Sequence, residues 1–131
     1  MVKIVQTLIV RNHTSGTLLP LADLIQRMGL KDIVSWRLRE IKLYGSGRPF
    51  GMSFDDFETA SRAAANGIAV SDQEFQVFLQ SDVQVIDGVI EAYSGDDPTT
   101  FVVRIDCEDA TQWEITTDLP EIVKNLEQPD L

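Results

Sequence analysis

Between Val83 and Thr117 the chain alternates apolar and polar side chains three times over, and this constrains the fold more than any other feature. The first run puts Val83, Val85, Val89 and Tyr93 on one face and Ile86, Ile90 and Ala92 on the other. Ser94-Gly95-Asp96-Asp97-Pro98 has turn chemistry. Phe101, Val103, Ile105 and Cys107 then alternate with Val102, Arg104 and Asp106. Glu108-Asp109-Ala110 reverses the chain, and Trp113, Ile115 and Thr117 alternate with Gln112, Glu114 and Thr116. Short connections between such runs imply an antiparallel meander.

Helix signals punctuate the rest. Pro20 opens one helix, Leu21, Leu24, Ile25 and Met28 form its apolar stripe, and Gly29 stops it. Ser53 can cap a second, with Asp55, Asp56 and Glu58 in its first turn and Phe54, Phe57, Ala60 and Ala64 facing inward. Ser71 and Glu74 have the spacing of a capping box for a third, with Phe75, Phe78 and Leu79 inside. Asp118 can cap a fourth, lined by Leu119, Ile122, Val123 and Leu126. Within residues 2–10, Val2, Ile4, Val5, Leu8 and Ile9 fit a helical stripe, but four of these five are β-branched, so helix and strand both stand. Residues 35–44 alternate as a strand whose phase slips between Leu38 and Ile41, which calls for a bulge near Arg39-Glu40. Together these elements imply one α+β domain over residues 1–131, an antiparallel sheet with helices packed on it.

Charge is segregated along this framework. Residues 1–48 carry eight Lys/Arg against three acids, a net of +5, and residues 49–131 carry three against eighteen, a net of −15. The total of −10 repels polyanions and attracts cationic partners. No apolar run approaches the roughly 20 residues of a membrane helix, so no membrane association is expected. The first residues lack a signal peptide's uninterrupted apolar core, and the single cysteine, Cys107, can form no internal disulfide, which together suggest a cytoplasmic, reducing compartment.

Catalytic and metal motifs are not found. One His and one Cys, far apart, do not make a transition-metal site, and His13 sits in a polar run as a solvated loop residue would. Asp96-Asp97 and Asp106-Glu108-Asp109 offer oxygen ligands but lack the regular spacing and Gly of an EF-hand loop, so no metal and no cofactor are expected. Cys107 takes an inward strand position among acids, which disfavours a reactive thiolate. Gly45-Ser46-Gly47 lacks the remaining residues of a phosphate loop. Nothing selects a carboxylate pair for acid–base work, and the chain is read as a non-enzyme. A small enzyme on a carboxylate pair is the weakest alternative. A single-stranded nucleic-acid-binding or regulatory domain is the stronger one. Trp36, Arg37, Arg39, Lys42, Tyr44 and Arg48 interleave aromatic and basic residues as such a face would, although a half-buried strand with a cationic edge reads the same way.

Residues 52–58 (Met-Ser-Phe-Asp-Asp-Phe-Glu), Asn66-Gly67-Ile68-Ala69-Val70-Ser71, Glu74-Phe75 and Gln84-Val85-Ile86-Asp87-Gly88-Val89-Ile90 form a distinctive series with the upstream Trp36-Arg37-Leu38-Arg39-Glu40-Ile41. Over about half the chain it resembles small bacterial immunity proteins of contact-dependent growth-inhibition and related polymorphic-toxin systems. The likeness lies in hydrophobic positions and helix starts, so no binding residue transfers by position. It implies a toxin inhibitor that works by stoichiometric protein binding, with a cognate cationic toxin, such as a nuclease, as partner, and without catalytic residues. Placement on the chain then nominates two acidic groups for partner binding: Asp55, Asp56 and Glu58 at a helix start, and Asp106, Glu108, Asp109 and Glu114 at the outward edge of the last two strands. Nucleic acid is not the expected partner.

Overall fold

The computed structural model describes residues 6–11, 20–63, 65–95, 99–108 and 112–127. The elements run β1 (Gln6–Arg11), α1 (Leu21–Met28), β2 (Ile33–Gly45), α2 (Phe54–Ala63), β3 (Ile68–Ser71), α3 (Asp72–Leu79), β4 (Val83–Ser94), β5 (Val103–Glu108), β6 (Gln112–Thr117) and α4 (Pro120–Leu126), with one 3-10 turn at Pro49–Gly51. The strands make one antiparallel sheet in the order β1-β6-β5-β4-β2-β3. This is an α+β fold, and the expected meander is β4-β5-β6. The ambiguity near the start resolves to a strand from Gln6, which pairs with β6 and so joins the first strand to the last.

Helix boundaries follow the local chemistry. Gly29 ends α1 in the left-handed region at φ 63°, where a Cβ would be strained, and Asn125 of α4 donates to the Met28 carbonyl at 3.1 Å. The box at α3 is complete. Ser71 Oγ accepts from the Glu74 N–H at 3.1 Å, and Glu74 accepts from the Ser71 N–H at 2.9 Å. These bonds, the Ser71 N–H first, hold the Glu74 carboxyl below its ordinary value. The start of α4 differs from expectation: its N-cap position is Leu119, which no side chain caps, and the Leu119 N–H itself is accepted by Thr117 Oγ1 at 3.1 Å. Ser71 also ends β3, a strand of four residues that periodicity does not reveal because it runs directly into its own helix cap.

One face of the sheet carries the core. Trp36, Leu38, Ile90, Val103, Ile105, Trp113 and Ile115 are buried there with Leu24 and Met28 of α1, Phe57 of α2, Phe75 and Phe78 of α3, and Ile122 and Leu126 of α4. Trp36 stacks on Phe75 with centroids 3.9 Å apart and donates its indole N–H to Asp72 at 2.8 Å. Cys107 is buried at the inward position expected of it, its thiol 3.3 Å from the Ile86 carbonyl.

β2 and β4 are both irregular at one level. Arg39 pairs with Val89 and Lys42 with Asp87, so Glu40 and Ile41 stand opposite Gly88 alone, with Glu40 at φ 51°. That is the bulge the phase slip calls for. A second irregularity follows at once, because Lys42 pairs with Asp87 and Leu43 with Val85, leaving Ile86 as the extra residue on β4. The inward parity of β4 therefore changes: Val85 is buried at one end, and Ile90 and Ala92 at the other. The unbroken faces expected for this strand are corrected on that point. Beyond the bulge, β2 loses β3 as neighbour and α2 takes its place. Ser61 Oγ accepts the Ile41 N–H at 3.0 Å, and Glu58 accepts the Leu43 N–H at 2.9 Å. Two side chains thus satisfy strand donors that would otherwise be unmet.

Candidate functional site

The face of the sheet turned away from the core is polar, and the double irregularity shapes it. Bulges bend and twist the strands that carry them. On this face a groove of about 510 Å³ is lined by Glu40 and Asp87 at the bulge, by Asp106 and Glu108 of β5, and by Glu114 of β6. Gly88, Val89, Phe101, Cys107 and Thr116 complete most of the lining. Arg104 is its one basic residue and is already engaged, donating to both Asp106 oxygens at 2.9 and 3.0 Å. The Asp106 bonds, with the charges of Glu91 and Glu114, raise the Arg104 pKa against the opposing effect of burial. Five carboxylates against one paired guanidinium give the groove an excess of negative charge.

The second nominated group is brought together here. Asp106, Glu108 and Glu114 share the groove, with Glu108 and Glu114 exposed, while Asp109 lies outside the described residues. The first group is not part of it. Asp55 and Asp56 are exposed at the start of α2, where Ser53 Oγ accepts the Asp56 N–H at 3.1 Å. Glu58 is half-buried, and its carboxylate is the acceptor for β2 described above, a structural task. Glu40 and Asp87 were not nominated. Their signal was available in Gly88, a glycine inside an apolar strand opposite a phase slip, which marks a bulge and so a place where flanking side chains are re-aimed.

The basic–aromatic stretch does not form one face. Trp36 is only 1 % exposed and stacked in the core. Arg37 and Arg39 point the other way: Arg37 lies over the Tyr93 ring at 4.7 Å, and Arg39 meets Glu91 at 3.3 Å. Tyr44 is exposed, and Arg48 donates to the Gly51 carbonyl at 3.2 Å. A base stacking on Trp36 would have to displace Phe75.

Among the described residues no group of three His, Cys, Asp or Glu side chains is placed to hold a metal ion. His13, Asp96 and Asp97 lie outside them. No helix of the described residues is long and apolar enough to cross a membrane. Comparison with protein-family models, with curated proteins and with solved structures finds no match to this chain.

Proposed function

We propose that this protein is a stoichiometric inhibitor of a cationic protein, an immunity protein that binds and neutralises a bacterial toxin in the cytoplasm without catalysis of its own. The observation that carries the reading is the open groove that collects Glu40, Asp87, Asp106, Glu108 and Glu114 around a single, already paired arginine. A basic cleft of the kind a nuclease needs for its own substrate is complementary to such a surface, and opposite fields accelerate encounter. The resemblance over residues 36–41, 52–58, 66–71, 74–75 and 84–90 supports the toxin as the class of partner.

The test is inhibition at defined stoichiometry. Tagged protein captures its partner from source-strain lysate at low salt, and the captured protein's activity is then titrated. The reading expects complete inhibition at one equivalent. It also expects the combined variant Asp106→Lys, Glu108→Lys to slow association at least about tenfold at low salt, with the difference shrinking as salt rises. Unchanged kinetics would remove the groove as the binding surface. Captured nucleic acid in place of protein would favour the alternative class.

A further inference from the structure

Two arginines beside the groove carry donors that the fold does not use. In the sheet register Ser35 faces Tyr93, Arg37 faces Glu91, and Arg39 faces Val89. Both arginines lean one step along the sheet, Arg37 onto the Tyr93 ring and Arg39 onto the Glu91 carboxylate. Glu91 is thereby occupied, ion-paired with Arg39 at 3.3 Å and accepting from the Tyr93 hydroxyl at 3.4 Å. Arg39 uses only its terminal nitrogen in this pair. Its Nε–H is buried and has no acceptor. Arg37 has the aromatic contact and no hydrogen bond or ion pair among the described residues. A buried guanidinium donor without an acceptor is costly, and such a group calls for an explanation.

We propose that Arg37 and Arg39 receive a single carboxylate side chain from the cationic protein that occupies the neighbouring groove, a proposal that rests on the function proposed above. The charge balance selects this occupant. Glu91 is paired with Arg39 and Asp106 with Arg104, which leaves Arg37 without a counter-ion among the described residues; one singly charged carboxylate matches it, whereas a doubly charged phosphate would face Glu91, Asp106 and Glu114 as well. Guanidinium forks also match the planar carboxylate in shape. The overall charge of −10 works against free anions, so the carboxylate arrives on a molecule that is itself positive. The site adjoins the groove, since Val89, which faces Arg39, is part of the groove lining. Together they form a surface of mixed sign. A partner must place its cations over Glu40, Asp106 and Glu114 and one acid over Arg37 and Arg39, which fixes orientation and rejects basic proteins that lack the acid.

Two synthetic lysine-rich peptides that differ at one position, Glu in one and Gln in the other, test this by calorimetry at low salt and by the Nε–H resonances of the arginines. The Glu peptide is expected to bind about tenfold more tightly. It alone should move the Arg39 Nε–H signal, and Arg37→Gln should abolish the difference while thermal unfolding remains cooperative. Equal binding of both peptides with an unmoved Arg39 signal overturns the arginine site and leaves the acidic groove standing. Failure of both peptides to bind overturns the cationic-partner reading and the arginine site with it. The Arg39 signal in the unaltered protein decides the matter even if the Arg37 variant is too unstable to use.

Discussion

The two faces of this sheet are built from the same strands with the same period of two, yet they solve different problems. The inner face joins Trp36, Leu38, Ile90, Ile105 and Ile115 to the helices through dispersion and water exclusion, and each residue depends on its neighbours' shapes. The outer face holds Arg37, Arg39, Glu91, Arg104, Asp106 and Glu114 in a charge lattice whose exposed members contribute little to stability. Under the proposed function, stability and recognition would fall on opposite sides of one set of backbone hydrogen bonds. Substitutions should separate the two.

The largest expected effect is on the inner face. Trp36→Ala removes the stack on Phe75 and leaves Asp72 without its indole donor, so it should cost about 3–5 kcal/mol in urea unfolding. A loss below about 1 kcal/mol would mean that the aromatic cluster of Trp36, Phe75 and Phe78 is not part of the cooperative core.

Gly88→Ala tests the point where the faces meet. At φ 146° a Cβ would lie 2.4 Å from Ile41 Cδ1 and 3.1 Å from Ile41 Cα. Moving the Ile41 side chain cannot relieve the backbone contact, so a loss of about 1–3 kcal/mol is expected. Because Gly88 also lines the groove, affinity for a cationic ligand should fall as well, whereas Trp36→Ala should leave the affinity of the folded fraction unchanged. If Gly88→Ala alters stability alone, the bulge does not shape the binding surface.

The inner face was largely legible from the sequence and the outer face was not, for a physical reason. Burial imposes a period, so the stripe of α1, the capping box at Ser71-Glu74 and the phase slip in β2 can all be recognised from residue types. Where apolar residues occupy both parities the period loses its meaning. In β4, Val83, Val85 and Val89 compete with Ile86 and Ile90, which hid the second irregularity. Ser61 was hidden for the opposite reason: a polar residue on a helix reads as solvated, yet it is 1 % exposed because it replaces a strand neighbour for Ile41. The acids of the groove have no period at all. Asp106, Glu108 and Glu114 could be grouped from strand order, but Glu40 and Asp87 join them only through a bend in the sheet.

On the outer face, Asp106→Asn removes one charge of a pair whose partners are each about one-third exposed, 36 % for Arg104 and 31 % for Asp106. Solvent screens such a pair, and the loss should stay within about 1 kcal/mol and diminish in salt. A loss approaching that of Trp36→Ala would erase the distinction between the faces.

The smallest effect at neutral pH, and the one that changes sign with conditions, belongs to Tyr93. Its ring is buried on the outer face, and this burial, with the nearby Glu91 carboxylate, raises the phenol above its ordinary value of 10, while Arg37 and Arg39 oppose the shift. The folded protein therefore holds the phenolic proton more tightly than the unfolded chain. The associated stability is complete below pH 10 and is lost as pH rises through the higher folded value. Tyr93→Phe keeps the ring under Arg37 and removes both the titration and a long 3.4 Å hydrogen bond, so near pH 7 it should change stability by no more than about 1 kcal/mol. Above pH 10 the parent should lose stability that the Phe variant retains, and denaturant midpoints measured from pH 8 to pH 11 should diverge in favour of Phe. Parallel midpoints across that range would show that the outer face leaves Tyr93 open to water. A divergence confined to alkaline pH would show that part of this face is closed like a core while still carrying charge, the setting in which Arg39 keeps its Nε buried although its side chain is 30 % exposed.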